Sequence, residues 1–480
     1  MRTLLIVILF VGSTLTLVAQ KNKFEPNTKY SSDSLKRWTT SIMDGISEKH
    51  PGFYRYTNKE KFDFLIETTK QSIRDSLTEL QYYRLLKPLF AQIGCLHTGI
   101  SLSKEYQDYL DKTNTLIPIE VFIDLKNNNR VLISKNYSTN QKIPIGGELI
   151  SINGVSISII LQKLLNSIPS DGYNQTEKIL LLNHRFSFWF QSIIDAPTVF
   201  NVGIKTNNTD NIYELQSVSK DKFPSMASLE KNYKKPLEFE IIDGIGLLKI
   251  HTFSKTSIKE GEQNFHKFIK NVFEILKKQN VENLVVDLRN NTGGTDGNAA
   301  LLASYFFDKP FRYWDKIEVT EAVSKEIKGI NKLFYKKPKE VNGSYHWRKT
   351  WLTKEFDYYE TQHPANNNFK GKTYIITNGL CLSSCSDFVA ILSHNNKAII
   401  VGQETGGGYQ GNTSGMMPEA TIPTGLIVTV PLQKYTNAVD LTKNVGHGTK
   451  PDYEIVPTFD NWVSKKDIEL EFTLKMIKKE

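Results

Sequence analysis

Apolar residues recur every three or four positions in the first part of the chain, from about Ser31 to Leu89. The stretches "NKEKFDFLIETTKQSIRDSL" and "TELQYYRLLKPLFAQI" show this spacing, which is typical of helices with one buried face. The Ser and Asp residues of "SSDS" precede the first helical stretch and are candidate N-caps. The pattern predicts a small helical N-terminal region over residues 25–112, in which the helical spacing ends at "GCLHTGIS".

Strand-like patterns replace the helical spacing between residue 115 and about residue 206. "LIPIEVFIDLKNNNRVLI" has two apolar runs around an Asn-rich turn, and "IPIGGELISINGVSISIILQKLL" passes through a strand and an Asn-Gly turn into a helix. Its part "GGELISINGVSISIILQKL" resembles a segment of PDZ domains, which bind extended peptides by strand addition. An ordinary β-hairpin before a helix has the same pattern. We predict a β-rich, PDZ-like domain over residues 113–210.

Strands that are each followed by a polar loop and a helix dominate the last part of the chain. The strand pattern of "NLVVDLR" leads into the loop "NNTGGTDG" and the helix "NAALLASYFF", and the same succession recurs in "KTYIITNG", "LCLSSCSD" and "FVAILSHNN". Repeated units of this kind are typical of an α/β fold, which places its functional sites at the carboxyl ends of strands. We therefore predict an α/β core domain over residues 235–478.

Length and charge limit the classes of protein that the chain can belong to. Its 480 residues are enough for two or three domains, and they carry 60 basic and 51 acidic side chains, a formal net charge of +9. The basic residues form short clusters without a long tract that interleaves with aromatic residues. This distribution argues against a nucleic-acid-binding protein.

The first residues have the pattern of a secretory signal peptide. Arg2 precedes an apolar run from Leu4 to about Ala19, which is short for a membrane span. A retained N-terminal membrane anchor is the alternative. We expect cleavage after Ala19, so that residues 1–19 are removed and the protein is periplasmic or secreted.

The cysteines and histidines do not form a recognisable disulfide or metal pattern. Cys95, Cys381 and Cys385 are too few for a disulfide framework, although they allow one bridge. The nine histidines are scattered, and neither an H-E-x-x-H motif nor a paired-cysteine spacing occurs. The loop "NNTGGTDG" lacks the Lys-Ser/Thr ending of a phosphate-binding loop. We therefore expect no metal and no cofactor.

Two loops that follow predicted strands hold the candidate chemistry. Ser383, Ser384 and Ser386 precede an apolar helix, where a serine is either an N-cap or a nucleophile that the helix dipole and backbone N–H groups assist. Gly293 and Gly294 either make a plain turn or aim an N–H group at a developing oxyanion. The residues alone leave both alternatives open.

Four motifs together resemble the S41 family of serine peptidases, which includes the carboxyl-terminal processing proteases and the tricorn protease core. In chain order they are "DLRNNTGG" (287–294), "SCSDF" (384–388), "VGQETGGG" (401–408) and "GHGTKPD" (446–452). They lie in order between residues 240 and 460. The resemblance implies an α/β, ClpP/crotonase-like peptidase core beside the helical N-terminal region and the PDZ-like domain.

The resemblance also implies roles for the residues of the two loops. Ser384 is the nucleophile, because it stands three residues before the acidic residue of its motif. The N–H group of Cys385 and that of Gly293 or Gly294 form the oxyanion hole. Ser383 and Ser386 then serve as a turn residue and a cap.

The general base differs between branches of this family. Processing-protease members use a lysine shortly after the nucleophile, but this chain has no lysine between Lys397 and Lys434. The tricorn-like branch uses a histidine in a segment like "GCLHTG", which makes His97 the candidate base, with His447 as a second candidate. A neutral imidazole suits proton transfer between a hydroxyl and a leaving amine.

A carboxylate that orients the histidine is expected shortly before the last motif. Asp440 is the nearest carboxylate in the sequence, and Glu404 is another. If neither serves, the site is a Ser-His dyad without an acid.

The resemblance and the residues together predict an exported serine-type peptidase that hydrolyses C-terminal or unfolded protein segments through an acyl-enzyme. Its partner is then a peptide or an unfolded protein. One alternative is a catalytically impaired protein of the same fold that binds peptides or small apolar ligands. Another makes Cys385 or Cys95 the nucleophile.

Overall fold

The N-terminal region is built mainly of helices. The computed structural model describes residues 24–127, 129–207, 209–223, 233–328, 332, 335–349 and 360–479. The first elements are β1 (Lys29–Tyr30), α1 (Ser32–Lys49), α2 (Lys59–Ser72), β2 (Leu77–Thr78), α3 (Glu79–Ala91), β3 (Gly99–Ser101) and α4 (Lys104–Lys112). The side chain of Ser31 accepts a hydrogen bond from the N–H group of Ser34 and so caps α1. The helices that the apolar spacing predicts are therefore present.

The following region forms a mainly antiparallel sheet with two helices. Its elements are β4 (Ile119–Asp124), β5 (Arg130–Asn136), β6 (Glu148–Ile152), β7 (Val155–Ser156), α5 (Ile157–Ser167), α6 (Thr176–Trp189), a π-helical turn (Phe190–Ile194), β8 (Val199–Thr206), β9 (Thr209–Gln216) and a 3-10 turn (Lys220–Lys222). The strand order is β4-β5-β6-β8-β9, and β7 pairs with β6. Asn153 and Gly154 have φ angles of 50° and 78°, as a tight hairpin turn requires. The predicted succession of strand, Asn-Gly turn and helix is present, and its PDZ identity stays a prediction.

The last region contains a six-stranded sheet with helices on its faces. Its first elements are β10 (Leu237–Ile242), β11 (Ile245–Ile250), α7 (Lys255–Glu260), α8 (Phe265–Lys278), β12 (Asn283–Asp287), α9 (Asp296–Ser304), β13 (Phe311–Arg312), β14 (Trp314–Val319), α10 (Glu321–Glu326), β15 (Tyr335–Val341), β16 (Ser344–Lys349) and β17 (Thr361–Gln362). They are followed by β18 (Lys372–Thr377), α11 (Ser384–His394), β19 (Ile399–Gly402), β20 (Thr413–Ser414), β21 (Glu419–Thr421), β22 (Ile427–Thr429), β23 (Gln433–Asn437), β24 (Tyr453–Glu454), α12 (Phe459–Ser464) and α13 (Ile468–Ile477).

The strand order of the six-stranded sheet is β10-β11-β12-β18-β19-β24. β10 is antiparallel to β11, and the other pairs are parallel. Because parallel strands end at the same edge of a sheet, the loops after β12, β18 and β19 lie side by side. This α/β core confirms the predicted fold class.

The inner strands β12 and β18 of this sheet are buried on both faces, so their central residues are mainly apolar. On β12, Leu284 and Val286 pack into the main core, whereas Val285 packs with Ile477 of α13 on the other face. The buried side chains of α8 follow the helical period: Phe265, Ile269, Val272, Phe273 and Leu276. Full burial of each such side chain stabilises the fold by about 2 kcal/mol.

Two smaller sheets connect the helical N-terminal region to the core. One has the order β15-β16-β14-β23-β20, and the other has the order β21-β22-β3. β3 belongs to the N-terminal region, and its residue Ile100 pairs with Val428 of β22. This pairing fixes the segment that directly precedes β3, which contains His97.

The predicted signal peptide, residues 1–19, lies outside the described residues. None of the helices that the structure describes has the length and apolar character that a membrane crossing requires.

Arg289 joins the end of β12 to the C-terminal helix α13. Its guanidinium donates hydrogen bonds to Asp287 (2.6 Å) and Asp467 (2.7 Å) and lies 3.2 Å from a carboxylate oxygen of Glu469. The side chains of Asp287 and Glu469 are only 11% and 7% exposed. Arg289 therefore compensates buried negative charge and fixes the loop that follows β12.

We expect Arg289→Ala to lower the free energy of unfolding by about 3 kcal/mol, since removal of one partner leaves buried charge unpaired. Urea unfolding measures this loss. Arg130→Ala is the matched control, because Arg130 pairs with Glu148 at 3.0 Å at the surface, and its loss is expected to stay below about 1 kcal/mol. Equal losses in the two variants would contradict the structural role of Arg289.

Candidate active site

Ser384 is the first residue of helix α11, after the loop that follows β18. The side-chain oxygen of Asn378 accepts hydrogen bonds from the N–H groups of Asn290 (3.0 Å) and Leu380 (3.1 Å), which ties the loops after β12 and β18 together. Ser383 occupies the N-cap position with a φ of 52° and makes no side-chain cap hydrogen bond. The sharp turn thus places Ser384 at a helix N-terminus, where the dipole and backbone N–H groups favour negative charge.

The hydroxyl of Ser384 is buried and unpaired. The residue is 1% exposed, and its Oγ has no hydrogen-bond partner among the described residues. A buried polar group without a partner costs about 1–3 kcal/mol. An orphaned hydroxyl at this position fits a nucleophile that awaits a substrate better than a helix cap.

Ser386 does not cap the helix, which corrects its predicted role. It lies in the first turn of α11, and its Oγ donates a hydrogen bond to the carbonyl oxygen of Cys381 (2.7 Å). Ser383 occupies the cap position instead. The hydroxyl of Ser386 therefore joins the first turn of α11 to the loop that precedes this helix.

Asp387 is buried directly after this turn. The amide groups of Asn412 and Asn437 donate to its carboxylate oxygens at 3.2 and 3.0 Å. Burial raises the pKa of Asp387 to about 7, and hydrogen bonds from Asn437, Trp314 and Asn412 oppose the rise. Asp387 therefore changes charge near neutral pH inside the helix that carries Ser384.

Gly293 approaches the serine turn closely. Its φ is 94°, and a Cβ atom there would lie 2.7 Å from the carbonyl oxygen of Leu382 and 3.1 Å from the nitrogen of Ser384. The two predicted loops therefore meet, and only glycine fits between them. In this structure the N–H group of Gly293 donates to Asn291 Oδ1 (2.9 Å), and that of Cys385 donates to Leu382 O (3.0 Å). Of the three predicted oxyanion donors, those of Gly293 and Cys385 are thus engaged within the chain.

Gly294 serves another contact. A Cβ atom at this position would lie 2.2 Å from the nitrogen of Ser254 and 2.6 Å from the carbonyl carbon of Phe253. Gly294 therefore permits a close approach of the loop after β12 to the segment after β11. Of the two glycines, Gly293 is the one in contact with the serine turn.

His97 lies in the short loop between α3 and β3. Its Nδ1 atom is buried and has no hydrogen-bond partner among the described residues. Burial lowers the pKa of His97 from its usual value of 6.5, while the charge of Asp171 and the carbonyl of Thr413 oppose this shift. The ring is therefore neutral at neutral pH, which is the form that a general base needs.

The sequence patterns did not predict a role for Asp171, which lies in the loop between α5 and α6. It is 3% exposed. Its Oδ1 accepts a hydrogen bond from the N–H group of Leu96, and its Oδ2 accepts one from the N–H group of Gly408, both at 3.1 Å. The polar segment "SDGYNQT" between two helices was the available signal. The contact with Leu96 spans 75 positions and cannot be read from the chain.

The glycine-rich loop between β19 and β20 contacts both halves of the site. A Cβ atom on Gly407 would lie 2.1 Å from the Oγ of Ser386, and the N–H group of Gly407 donates to Cys381 O (3.1 Å). The next residue, Gly408, donates to Asp171, and the carbonyl of Thr413 at the loop's end lies beside the histidine ring. This one loop therefore holds the serine turn on one side and the His97 and Asp171 segments on the other.

Asp440 lies beside a different histidine, which corrects its assignment as the acid for His97. Its Oδ1 accepts hydrogen bonds from the N–H group (3.0 Å) and the hydroxyl (2.7 Å) of Thr442. The N–H group of Asp440 donates to Nδ1 of His394 at 3.3 Å. The carboxylate of Asp440 thus accepts its hydrogen bonds from Thr442, within the same turn.

Glu404 and His447 contact each other. Glu404 Oε1 accepts hydrogen bonds from the N–H group of Gly448 (2.8 Å) and the side chain of Asn174 (3.0 Å), and it lies 3.2 Å from Nδ1 of His447. The pair therefore belongs to the turn of the last motif, as a structural contact between that turn and the loop after β19.

The three cysteines are free and buried. The thiol of Cys381 donates to Leu288 O (3.0 Å), and that of Cys95 donates to Thr413 O (3.4 Å). Burial raises the pKa of Cys95 to about 12 and also raises the pKa of Cys385. Because the thiolate is the reactive form, these thiols are poor nucleophiles at neutral pH.

Two adjoining cavities open beside the serine loop. The first, of about 360 Å³, is lined at the strand ends by Arg289 and Asn378 and on the other side by Leu180 and His184 of α6. The second, of about 380 Å³, shares Arg289, His184 and Trp462 with the first and extends along β4 and β5. Together they make a groove between the antiparallel sheet region and the core.

Over the described residues, no group of three or more His, Cys, Asp or Glu side chains could hold a metal ion.

Comparison with known proteins finds one matching family profile and similar solved structures. Residues 244–455 match the profile of Peptidase family S41. The crystal structure of mature CPAF is similar with a TM-score of 0.62 at 13% identity, over 92% of this chain and 95% of that chain. The structure of mature CPAF complexed with lactacystin is similar with a TM-score of 0.64 at 14% identity, over 93% of this chain and 98% of that chain. At these identities the structural likeness is one of fold, and it extends over nearly the whole chain.

Proposed function

We propose that this chain is an exported serine-type peptidase that cuts C-terminal or unfolded segments of proteins, since its residues 244–455 match the profile of Peptidase family S41. In this proposal Ser384 is the nucleophile and His97 is the general base. The observation that carries it is a pair of buried reactive atoms, Ser384 Oγ and His97 Nδ1, neither of which has a hydrogen-bond partner among the described residues. One glycine-rich loop contacts the segments that carry both.

The proposal gives each of these residues one part in the reaction. Ser384 Oγ attacks the carbonyl carbon of the scissile bond while His97 accepts the hydroxyl proton, and His97 then returns this proton to the leaving amine. A water molecule, activated by the same imidazole, hydrolyses the acyl-enzyme. The oxyanion needs backbone N–H donors, and those of Gly293 and Cys385 would have to exchange their present acceptors, Asn291 Oδ1 and Leu382 O, for the substrate.

Export is proposed from the first residues of the sequence. Arg2 and the apolar run that ends at Ala19 have the composition of a signal peptide. N-terminal sequencing of the protein recovered from the periplasm or the medium tests this. We expect the mature chain to begin at Gln20, and an intact chain that stays with the membrane would contradict export.

The groove that starts at Arg289 and Asn378, at the strand ends of the core, supports a peptide substrate. It runs from the strand ends towards the antiparallel sheet of the PDZ-like region, whose outer strand β9 exposes most of its side chains. An outer strand can add an extended peptide by backbone hydrogen bonds. A peptide could therefore bind in the groove along β4 and β5, or add to β9 at the opposite edge of the same sheet.

A panel of unstructured peptides tests the substrate class. Each peptide is prepared with a free C-terminal carboxylate and with a C-terminal amide, and hydrolysis is followed by mass spectrometry with wild type and Ser384→Ala. We expect wild type to cleave the free acids faster than the amides and the variant to cleave neither. Equal rates for acids and amides would remove the C-terminal preference, and no cleavage of any peptide would contradict the peptidase proposal.

The second candidate function is binding of peptides or small apolar ligands without turnover. The engaged N–H groups of Gly293 and Cys385 favour it, because an oxyanion hole needs free donors. Isothermal titration calorimetry with the same peptides distinguishes the two. Binding by wild type without any cleavage product would support the second candidate.

A further inference from the structure

We propose that Asp171 is the positioning acid of this site: it holds the His97 loop in place and stabilises the imidazolium that forms when Ser384 loses its proton. The inference rests on the proposed function, in which Ser384 attacks and His97 accepts the proton. It fills the role for which the sequence pointed to Asp440 and Glu404.

The first support is the way in which the carboxylate is held. Asp171 is 3% exposed, and each of its oxygens accepts a backbone N–H hydrogen bond of 3.1 Å. One N–H belongs to Leu96, the neighbour of His97, and the other belongs to Gly408 in the loop that contacts the serine turn. A carboxylate with two fixed donors from two loops sets the relative position of both.

The second support is electrostatic. The charge of Asp171 favours the protonated form of His97 and so acts against burial, which lowers the pKa of that ring. In the reaction this same attraction stabilises the transient imidazolium. The Ser384 proton moves to His97 and then to the leaving amine, and no proton is transferred to Asp171 in either step.

Other ionisable groups surround the pair. Those whose charges act on Asp171 or His97, or respond to them, are Arg55, Tyr56, Cys95, Glu177, Asp387 and His50. Burial lowers the pKa of His50 to about 3, so that ring stays neutral. Burial and the charge of Asp171 raise the pKa of Glu177 well above its usual value. Burial also raises the pKa of Asp171, whereas the N–H groups of Leu96 and Gly408 and the charge of Arg55 favour its ionised form.

The other two candidate acids, Asp440 and Glu404, form hydrogen bonds with residues other than His97. The contacts of Asp440 are with Thr442 and His394, and Glu404 binds Gly448, Asn174 and His447. Within the described parts of the chain, Asp171 is the carboxylate whose charge is felt at His97. It acts through the ring's position and field, since His97 Nδ1 has no hydrogen-bond partner there.

Asp171→Asn in the full mature chain tests the proposal, because it keeps the shape of the side chain and removes its charge. With a cleaved peptide as substrate, kcat is expected to fall roughly tenfold to a hundredfold, because a nearby opposite charge that stabilises the imidazolium is lost, while KM changes little. The acidic limb of the kcat/KM profile is expected to move to lower pH, because the ring loses a charge that favoured its protonation. A merely structural role would not move this limb.

Asp440→Asn is the matched control, since it makes the same change at the carboxylate that the sequence favoured, and its kinetics are expected to equal those of wild type. If Asp171→Asn does not fold, Asp171→Ser replaces it, because a hydroxyl can still accept a hydrogen bond without charge. Unchanged kcat with an unmoved limb in the Asp171 variant, or the full loss in Asp440→Asn, would overturn the proposal. Failure of wild type itself to hydrolyse any peptide would instead overturn the proposed function.

Discussion

Ser384→Ala is expected to reduce peptide hydrolysis by on the order of a millionfold, because the attacking atom is lost and the remaining groups act only as a unit with it. Folding should be unaffected, since Ser384 Oγ makes no hydrogen bond among the described residues. Removing a buried hydroxyl without a partner relieves a desolvation cost, so thermal unfolding of the variant should occur at or above the wild-type temperature. Steady-state kinetics and a thermal melt measure the two effects.

Two neighbouring variants are the controls for this loss. Ser386→Ala removes the hydrogen bond to Cys381 O but leaves Ser384 in place, so it is expected to cost about 1 kcal/mol of stability and to retain activity. Cys385→Ala removes the thiol and keeps the backbone N–H group, and it should also retain activity. Loss of activity in Cys385→Ala, with Ser384→Ala still active, would show that Cys385 is the nucleophile instead of Ser384.

His97→Ala is expected to lower kcat to nearly the same extent, on the order of 10⁵- to 10⁶-fold, because a serine hydroxyl is a weak nucleophile without its base. The double variant Ser384→Ala/His97→Ala should be no slower than either single variant, since both residues serve one step. An additive loss in the double variant would show that the two residues act independently. Such a result would contradict the role of His97 as the base that accepts the Ser384 proton.

The pH profile of wild type gives a second test of His97. The base acts in its neutral form, so kcat/KM should fall as the pH is lowered through the pKa of His97. Burial lowers this pKa from its usual value of 6.5, and the acidic limb is therefore expected below that value. A limb well above it would point to another base. His447→Ala is the control and is expected to leave the profile unchanged.

The elements that form the α/β core could be read from local patterns. The apolar strands of "NLVVDLR" and "KTYIITNG" and the period of "NFHKFIKNVFEILKK" depend on neighbouring residues alone, and the structure has β12, β18 and α8 there. The strands between Phe311 and Gln362 had no prediction. β14 pairs over a long distance, for example Ile317 with Tyr435, and such pairing leaves little trace in the local sequence. β15 and β16 instead form a hairpin around Asn342 and Gly343, a local signal that was missed.

In the site, too, local motifs predicted some residues, whereas a residue that depends on distant contacts was missed. The motif "DLRNNTGG" led to Gly293, which contacts the turn of Ser384, and the absence of a lysine led to His97. The acid was sought near the last motif, at Asp440, because the sequence places it near the expected position. The structure instead brings Asp171 to the N–H group of Leu96 across 75 positions and to that of Gly408 across 237 positions, and these contacts depend on the whole fold.

The prediction that Ser386 caps α11 was wrong for a related reason. Serine before an apolar helix usually caps it, and Ser386 was assigned that role. The left-handed φ of Ser383 starts the helix earlier, at Ser384, and turns the hydroxyl of Ser386 towards Cys381. A strained residue before the nucleophile is a feature that a propensity argument cannot supply, because it is stabilised by contacts with other loops.

The central claim is that Ser384, activated by His97, is the nucleophile of a serine peptidase. Labelling of the full mature chain with a fluorophosphonate, followed by digestion and mass spectrometry, tests it most directly. The expected result is a single adduct on Ser384, which forms much more slowly in His97→Ala and is absent from Ser384→Ala. An adduct on another residue, or labelling that persists in Ser384→Ala, would contradict the assignment.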